Sequence, residues 1–259
     1  MTTKPVSRWA IAICGNTCRT NALPQMARDR MAHPMKRLFA VTVLALVCPA
    51  AESNLHPVGR DMLCITEGAI SELPGQRLSV DVPKMRAYLN RWTSQTIAAQ
   101  FTYLGPTRIE SKLGSGQTRV QFGFKLRAQD PCNLVYAMWR IEPESKLVVS
   151  IKANPGQNTS AACGNQGYHN VKPLHHSPLP ILHPGDKHTF RVEMAGEQVS
   201  VFVDGAMVWD GNVGREALRL DGPVGIRSDN AKLQFELLRG EFSRGHPNSA
   251  IPCKAEASE

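Results

Sequence analysis

His188 to Leu238 reads HTFRVEMAGEQVSVFVDGAMVWDGNVGREALRLDGPVGIRSDNAKLQFELL, and its apolar residues recur at every second position. Phe190, Val192 and Met194 alternate with Thr189, Arg191 and Glu193, the period of a strand with one buried face. Ala195-Gly196-Glu197-Gln198 supplies a turn, and Val199, Val201 and Val203 resume the alternation. Asp204-Gly205 then falls between two apolar runs. Both residues tolerate positive φ, so this pair is a strong hairpin signal, with Ala206 to Trp209 as the return strand. Gly222-Pro223 opens a strand at Val224–Arg227. Ser228-Asp229-Asn230 reads as a turn held by local hydrogen bonds, and Leu233, Phe235 and Leu237 alternate beyond it. Glycines interrupt any 3.6-residue stripe. This stretch is β.

The same pattern extends towards the N-terminus. Val120–Arg127 places Phe122, Phe124 and Leu126 opposite Gln121, Lys125 and Arg127. Asn133–Ile141 and Lys146–Lys152 read as strands joined at Glu142-Pro143-Glu144-Ser145, with further strands at Gln76–Val82 and Ile97–Tyr103. A helical turn is expected near Met85–Trp92, and residues 52–75 read as loop. Asn154 to Asp186 breaks the rhythm. A connection of that length inside a domain usually carries function or is pinned covalently.

The chain carries 30 Lys and Arg against 22 Asp and Glu, for a net charge of +8. Seven of those cations lie in residues 1–51 with Asp29 as the only acid there, so the rest holds 23 basic and 21 acidic residues. A near-neutral domain gives no long-range reason to expect nucleic acid. The basic segment has its own logic. Met35-Lys36-Arg37 precedes the apolar run Leu38–Val47 and the small-residue exit Cys48-Pro49-Ala50-Ala51, the form of a secretory signal peptide and too short to span a membrane. The expected organisation is therefore an upstream extension (1–34) from a misplaced start codon, a signal peptide (35–51) and one domain (52–259). Lipidation at Cys48 is the alternative, disfavoured by Val47 before it. Either route gives a secreted or periplasmic protein without a transmembrane segment in the mature chain, expected to be a monomer.

Four cysteines remain after the leader: Cys64, Cys132, Cys163 and Cys253. An even number in an exported chain implies disulfides, with three possible pairings. The favoured one joins Cys132 to Cys163, across a strand pair and its loop, and Cys64 to Cys253, near the domain's ends. No C-x-x-C spacing supports metal ligation. His169, His175, His176, His183 and His188 crowd a Pro-rich stretch, but their spacings match no metal motif. A calcium site at Asp229-Asn230 lacks a supporting ligand count. No cofactor or metal is expected.

Strand Val120–Arg127, the meander Asn133–Ile141 with Lys146–Asn154, and the closing module with "VFVDG" and "GPVGIRSDNAKLQFELL" together resemble the concanavalin A-like lectin/glucanase superfamily. The closing module is similar to the ends of laminin-G-like and 3-keto-disaccharide hydrolase-type domains. The resemblance spans most of residues 95–240. It implies an all-β fold, a single-domain jelly-roll β-sandwich of two antiparallel sheets whose concave face contacts carbohydrate. The chain departs from the superfamily's enzymes. No Glu-x-Asp-x-Glu strand is present to place carboxylates on one face, the Arg/Gln-His/Tyr-x-Lys motifs of alginate-lyase relatives are missing, and no Gly-x-Ser-x-Gly elbow occurs. Catalytic residues do not transfer.

Alternation sorts the remaining candidates. Trp139 shares a face with Val135, Ala137 and Ile141 and reads as core. Tyr136 and Arg140 lie opposite, where a ring can stack on a sugar and a guanidinium can fork to hydroxyls or carboxylates; the other reading is a solvated strand face. Lys152 and Asn154 continue a polar row on the next strand, beginning at Ser150. Tyr168 and His169 sit in the turn CGNQGYHN that Cys163 would hold. The expected ligand-contact set is Tyr136, Arg140, Lys152, Asn154, Tyr168 and His169, and the expected partner is a polysaccharide or glycan. The reading is an exported lectin-like protein. Its alternatives are a glycan-degrading hydrolase or lyase of the same fold, and a non-enzymatic adhesion or structural module.

Overall fold

Strands with one apolar face must bury it, and here two antiparallel sheets bury theirs against each other. The computed structural model describes residues 54–90, 93–243 and 253. The expected extension, signal peptide and Cys48 lie outside the described residues. One sheet has nine strands: His175–His176, Ala206–Asn212, Gln198–Val203, Lys187–Ala195, Thr96–Pro106, Ala231–Arg239, Arg77–Val80 and Ser71–Leu73 in order, with His56–Pro57 also paired to Ala231–Arg239. The other has seven: Tyr168–Asn170, Lys146–Lys152, Asn133–Glu142, Val120–Asp130, Gly225–Asp229, Lys84–Leu89 and Leu63–Glu67. A two-stranded pair, Thr93–Ser94 with Phe242–Ser243, completes the pairing. The protein is a jelly-roll β-sandwich.

The alternating residues become the core. Phe190, Val192, Val199, Val201 and Leu237 are fully buried between the sheets. Trp139, also fully buried, meets Phe101 and Phe190 edge-on at 5.7 and 5.6 Å between centroids. Aromatic pairs at such distances add about 0.5–1.5 kcal/mol beyond their buried area. Asp204 and Gly205 adopt φ 50° and 81°, the conformation the Asp-Gly hairpin requires. No helix among the described residues is long and apolar enough to cross a membrane.

Three expectations change. The stretch near Met85 is not helical but the strand Lys84–Leu89. It lacks alternation because both its faces are covered, leaving Arg86 and Tyr88 nearly as buried as Met85 and Ala87. The segment 52–75 contains the strands Leu63–Glu67 and Ser71–Leu73. Asn154 to Asp186 carries a short helix, Ser160–Cys163, whose Thr159 cap accepts from the Ala162 amide, and strands Tyr168–Asn170 and His175–His176. The histidines there disperse: His175 pairs with Asp210, His183 with Asp186 and His188 with Asp204.

Both favoured disulfides are present, Cys132–Cys163 with Cα atoms 5.8 Å apart and Cys64–Cys253 at 5.3 Å. The first closes a loop of sequence separation 31 and ties the helix Ser160–Cys163 to the start of strand Asn133–Glu142. Replacing Cys132 and Cys163 together with serine is expected to lower unfolding stability by about 3 kcal/mol. Thermal unfolding without reductant measures it; an unchanged midpoint would mean that backbone contacts alone hold the segment.

Candidate functional site

The outer face of the seven-stranded sheet, turned away from the core, is assembled from residues far apart in the chain. Register places Ser150, Tyr136, Lys125, Gly225 and Tyr88 in one row across five strands. The next row runs Val148, Met138, Gly123, Arg227, Arg86, and a third runs Lys146, Arg140, Gln121, Asp229, Lys84. Two glycines deepen this surface. A Cβ on Gly123 would lie 2.2 Å from the Ala137 carbonyl oxygen, and one on Gly225 would lie 2.3 Å from that of Ala87. With no side chain at Gly225, Lys125 reaches across the strand to donate to the Tyr88 hydroxyl at 2.5 Å, its ammonium 3.9 Å from that ring's centroid.

The rows line an open groove of about 480 Å³, within the usual range for ligand pockets. Two loops complete the lining, one with Leu113, Gly114, Ser115 and Arg119 and the other with Ser160, Gly164 and Asn165; they approach each other where a Cβ on Gly114 would lie 3.9 Å from that of Asn165. Asn230 organises the first loop. It sits at φ 54°, a left-handed conformation that asparagine tolerates. Its side chain accepts from the Ser111 amide at 2.8 Å and donates to the Ser111 and Arg119 carbonyls at 2.9 and 3.0 Å. The turn read as locally bonded has such bonds, Ser228 Oγ to the Ala231 carbonyl at 3.1 Å and Arg227 to Asp229 at 2.9 Å, and Asn230 adds long-range ones. The Cys132–Cys163 bridge anchors the second loop.

Asp229 lies beneath the floor, fully buried. It accepts from Arg86 at 2.6 Å, from Arg227 at 2.9 Å and from Gln121 at 2.7 Å. Burial alone would raise its carboxyl pKa. Arg227 and Arg86 outweigh that and, with the Gln121 bond, hold it well below the usual carboxylate range. Arg86 also donates to the Met85 and Ser228 carbonyls, both at 2.9 Å. Its Nε lies 3.6 Å from Glu67 as well, so Arg86 is held between two carboxylates and Arg227 by one, both fixed in position at the groove floor.

Tyr136 and Tyr168 stack at 5.9 Å with planes 25° apart. Tyr136 is nearly buried and Tyr168 is 37% exposed, on an edge strand. The Arg227 guanidinium lies 5.2 Å from the Tyr136 centroid, and the Lys152 ammonium 5.1 Å from that of Tyr168. Burial and then Tyr168 push the Tyr136 phenol up. Burial also works to raise the Tyr168 phenol, but Arg227, Lys152 and a hydrogen bond with Tyr136 outweigh it, and the net shift is downward.

Of the expected ligand-contact residues, Tyr136, Arg140, Lys152 and Tyr168 line this groove together. Asn154 does not: it follows the end of its strand, and its amide donates to the Cys132 and Gln166 carbonyls, both at 3.1 Å. His169 pairs in register with the core residue Ile151, so it belongs to the opposite side of the sheet, exposed at its edge. Arg86, Gln121, Lys125 and Arg227 were not singled out by the sequence. For Gln121 and Lys125 the signal existed, since alternation sets them opposite Phe122 and Phe124. Glu67 is the only carboxylate lining the groove among the described residues. No group of three or more His, Cys, Asp or Glu among those residues is placed to hold a metal ion.

No family model matches the sequence, and no curated protein matches it. Solved structures similar to the chain include the carbohydrate-binding module CBM66 from Bacillus subtilis, at 14% identity and TM-score 0.44 over 67% of this chain and 91% of that one. A β-1,3-glucanase from Mycobacterium marinum gives 12% and 0.39 over 66% and 76%. A galectin from Caenorhabditis elegans gives 12% and 0.37 over 67% and 100%. These are likenesses of chain path alone.

Asp229→Asn is expected to destabilise the protein by about 3 kcal/mol, because Arg227 loses its paired carboxylate and Arg86 keeps only Glu67, at 3.6 Å. The depressed carboxyl pKa also sets a pH dependence. Its contribution is full above the unfolded value near pH 3.9 and is lost as pH falls through the lower folded value. Unfolding midpoints measured from pH 5 down to pH 2 should fall more steeply for the native protein than for Asp229→Asn; parallel curves would contradict the assignment.

Proposed function

We propose that the protein is an exported glycan-binding protein that holds a polysaccharide segment in the groove on the outer face of its seven-stranded sheet. The observation that carries this reading is the exposed Tyr168 ring set beside hydrogen-bonding side chains contributed by neighbouring strands. A sugar needs that combination: an apolar ring face to stack on and polar groups to replace its hydration. Ser150, Asn170, Gln121 and the cationic side chains supply the second part. Two disulfides support an oxidising compartment, and residues 35–51 have the form of the signal that would deliver the chain there.

Binding fits the groove better than glycosidic hydrolysis does. Hydrolysis through an acid and a base or nucleophile needs two carboxyl groups facing the ligand. Glu67 faces the groove, whereas Asp229 is buried and held ionised by its arginines. Tyr168 sits at an edge, so Tyr168→Ala should leave the fold intact. Loss of one stacking ring is expected to weaken glycan binding about fivefold, near 1 kcal/mol. A glycan array followed by calorimetry on the best ligand measures it. No enrichment over denatured protein would sink the reading.

One observation favours a second reading, cleavage of the bound glycan. A phenol pulled towards ionisation by two cations can take a proton from a ligand, and Tyr168 is so placed. Incubation with polysaccharides would reveal it as new reducing ends. Cleavage by the native protein that disappears in Tyr168→Phe, with binding kept, would establish it; no new ends would leave binding alone.

A further inference from the structure

We infer that the groove is selective for an anionic polysaccharide, one bearing carboxylate or sulfate groups at intervals along its chain. This rests on the proposal that the groove binds glycan, and it names the class. Lys84, Arg86, Arg119, Lys125, Arg140, Lys152 and Arg227 line the groove against Glu67 alone, with Asp229 beneath. A sheet face in a domain of balanced charge has no general reason to collect seven cations. The excess is local.

Arg140 and Arg119 sharpen the point. Arg119 bears on Arg140 as a like charge, and the buried Nε of Arg140 has no hydrogen-bond partner. The charge of Glu144 bears on Arg140 from an exposed position and is shared with Lys146, from which Glu144 accepts at 2.5 Å; Glu142, two residues from Arg140, is exposed as well. Two guanidiniums converging on a groove with an unsatisfied donor repel each other until an oxyanion sits between them. A guanidinium fork matches the planar carboxylate and the oxygens of a sulfate equally well.

The spacing points to a polymer. Lys152 pairs in register with Leu134, and Arg140 lies six residues further along that strand. At roughly 3.3 Å per residue, the cationic surface extends about 20 Å. One small anion cannot use it all; a chain with repeated charges can. Nucleic acid is also a repeated anion, but the domain's small net charge gives no long-range attraction, and one exposed tyrosine offers little stacking platform.

Calorimetry with the purified protein tests this against polygalacturonate, dextran sulfate, neutral dextran and a single-stranded oligonucleotide. The expected result is binding to polygalacturonate or dextran sulfate, weakening as sodium chloride is raised, with none to dextran. The two anionic arms decide between carboxylate and sulfate. Arg140→Gln, and separately Arg119→Gln on the flanking loop, should each weaken that binding roughly 10- to 100-fold. Arg77→Gln, on the nine-stranded sheet, should leave it unchanged. Equal, salt-independent binding of dextran would overturn the inference while keeping the glycan reading. Binding to none of the polysaccharides would overturn both, and so would tighter binding of the oligonucleotide. Polygalacturonate binding unaffected by both groove variants, each shown to be folded, would remove the anion site from this groove.

Discussion

The Arg86–Asp229–Arg227 cluster is the interaction on which the groove depends. Burying a carboxylate is costly, and only close, well-directed cations offset the lost hydration. Asp229 is fully buried and meets that condition through Arg86 on one neighbouring strand, Arg227 on its own and Gln121 on the neighbouring strand at the other side. The cluster therefore ties three strands together on the side of the sheet that the hydrophobic core does not reach. Glu67 also lies 3.6 Å from the Arg86 Nε, so two carboxylates and two guanidiniums lock one another in place, and the positive excess of the groove comes from its other cations.

The remaining features add to that arrangement. Gly225 and Gly123 keep the centre of the floor low, so Lys125 can cross to Tyr88 and Arg227 can lie near Tyr136. Asn230, next to Asp229 in the chain, fixes the loop that carries Arg119. The Cys132–Cys163 bridge fixes the loop that carries Gly164, whose carbonyl accepts from Lys152 at 2.8 Å. Like charges so assembled work against stability, a cost that binding sites commonly carry. On the outer face of the nine-stranded sheet, among the described residues, Arg191 pairs with Glu193 and Lys232 with Asp81.

The fold was legible because period-two alternation is a local signal. It placed Trp139 in the core and Tyr136, Arg140 and Lys152 opposite, with no knowledge of the partner strands. The Asp-Gly hairpin was equally local. What escaped was long-range. Arg86 lies on a strand covered on both faces, so its residues do not alternate and look helical. Asp229 and Asn230 have an ordinary turn explanation, and Arg227 fits it, yet Asp229 also bonds Arg86 and Asn230 bonds Ser111, 143 and 119 residues away in sequence. Asn154 shows the limit of extrapolation: the strand ends at Lys152, and the alternation that favoured the asparagine ends with it. His169 was set beside Tyr168 by sequence, but pleating turns adjacent residues to opposite faces.

A crystal structure of the protein with a short oligogalacturonate bears on the groove most sharply. A sugar ring is expected against Tyr168, with a carboxylate within hydrogen-bonding distance of Arg140 or Arg119. An oligosaccharide ordered on the nine-stranded sheet, with the groove left to water, would contradict that placement.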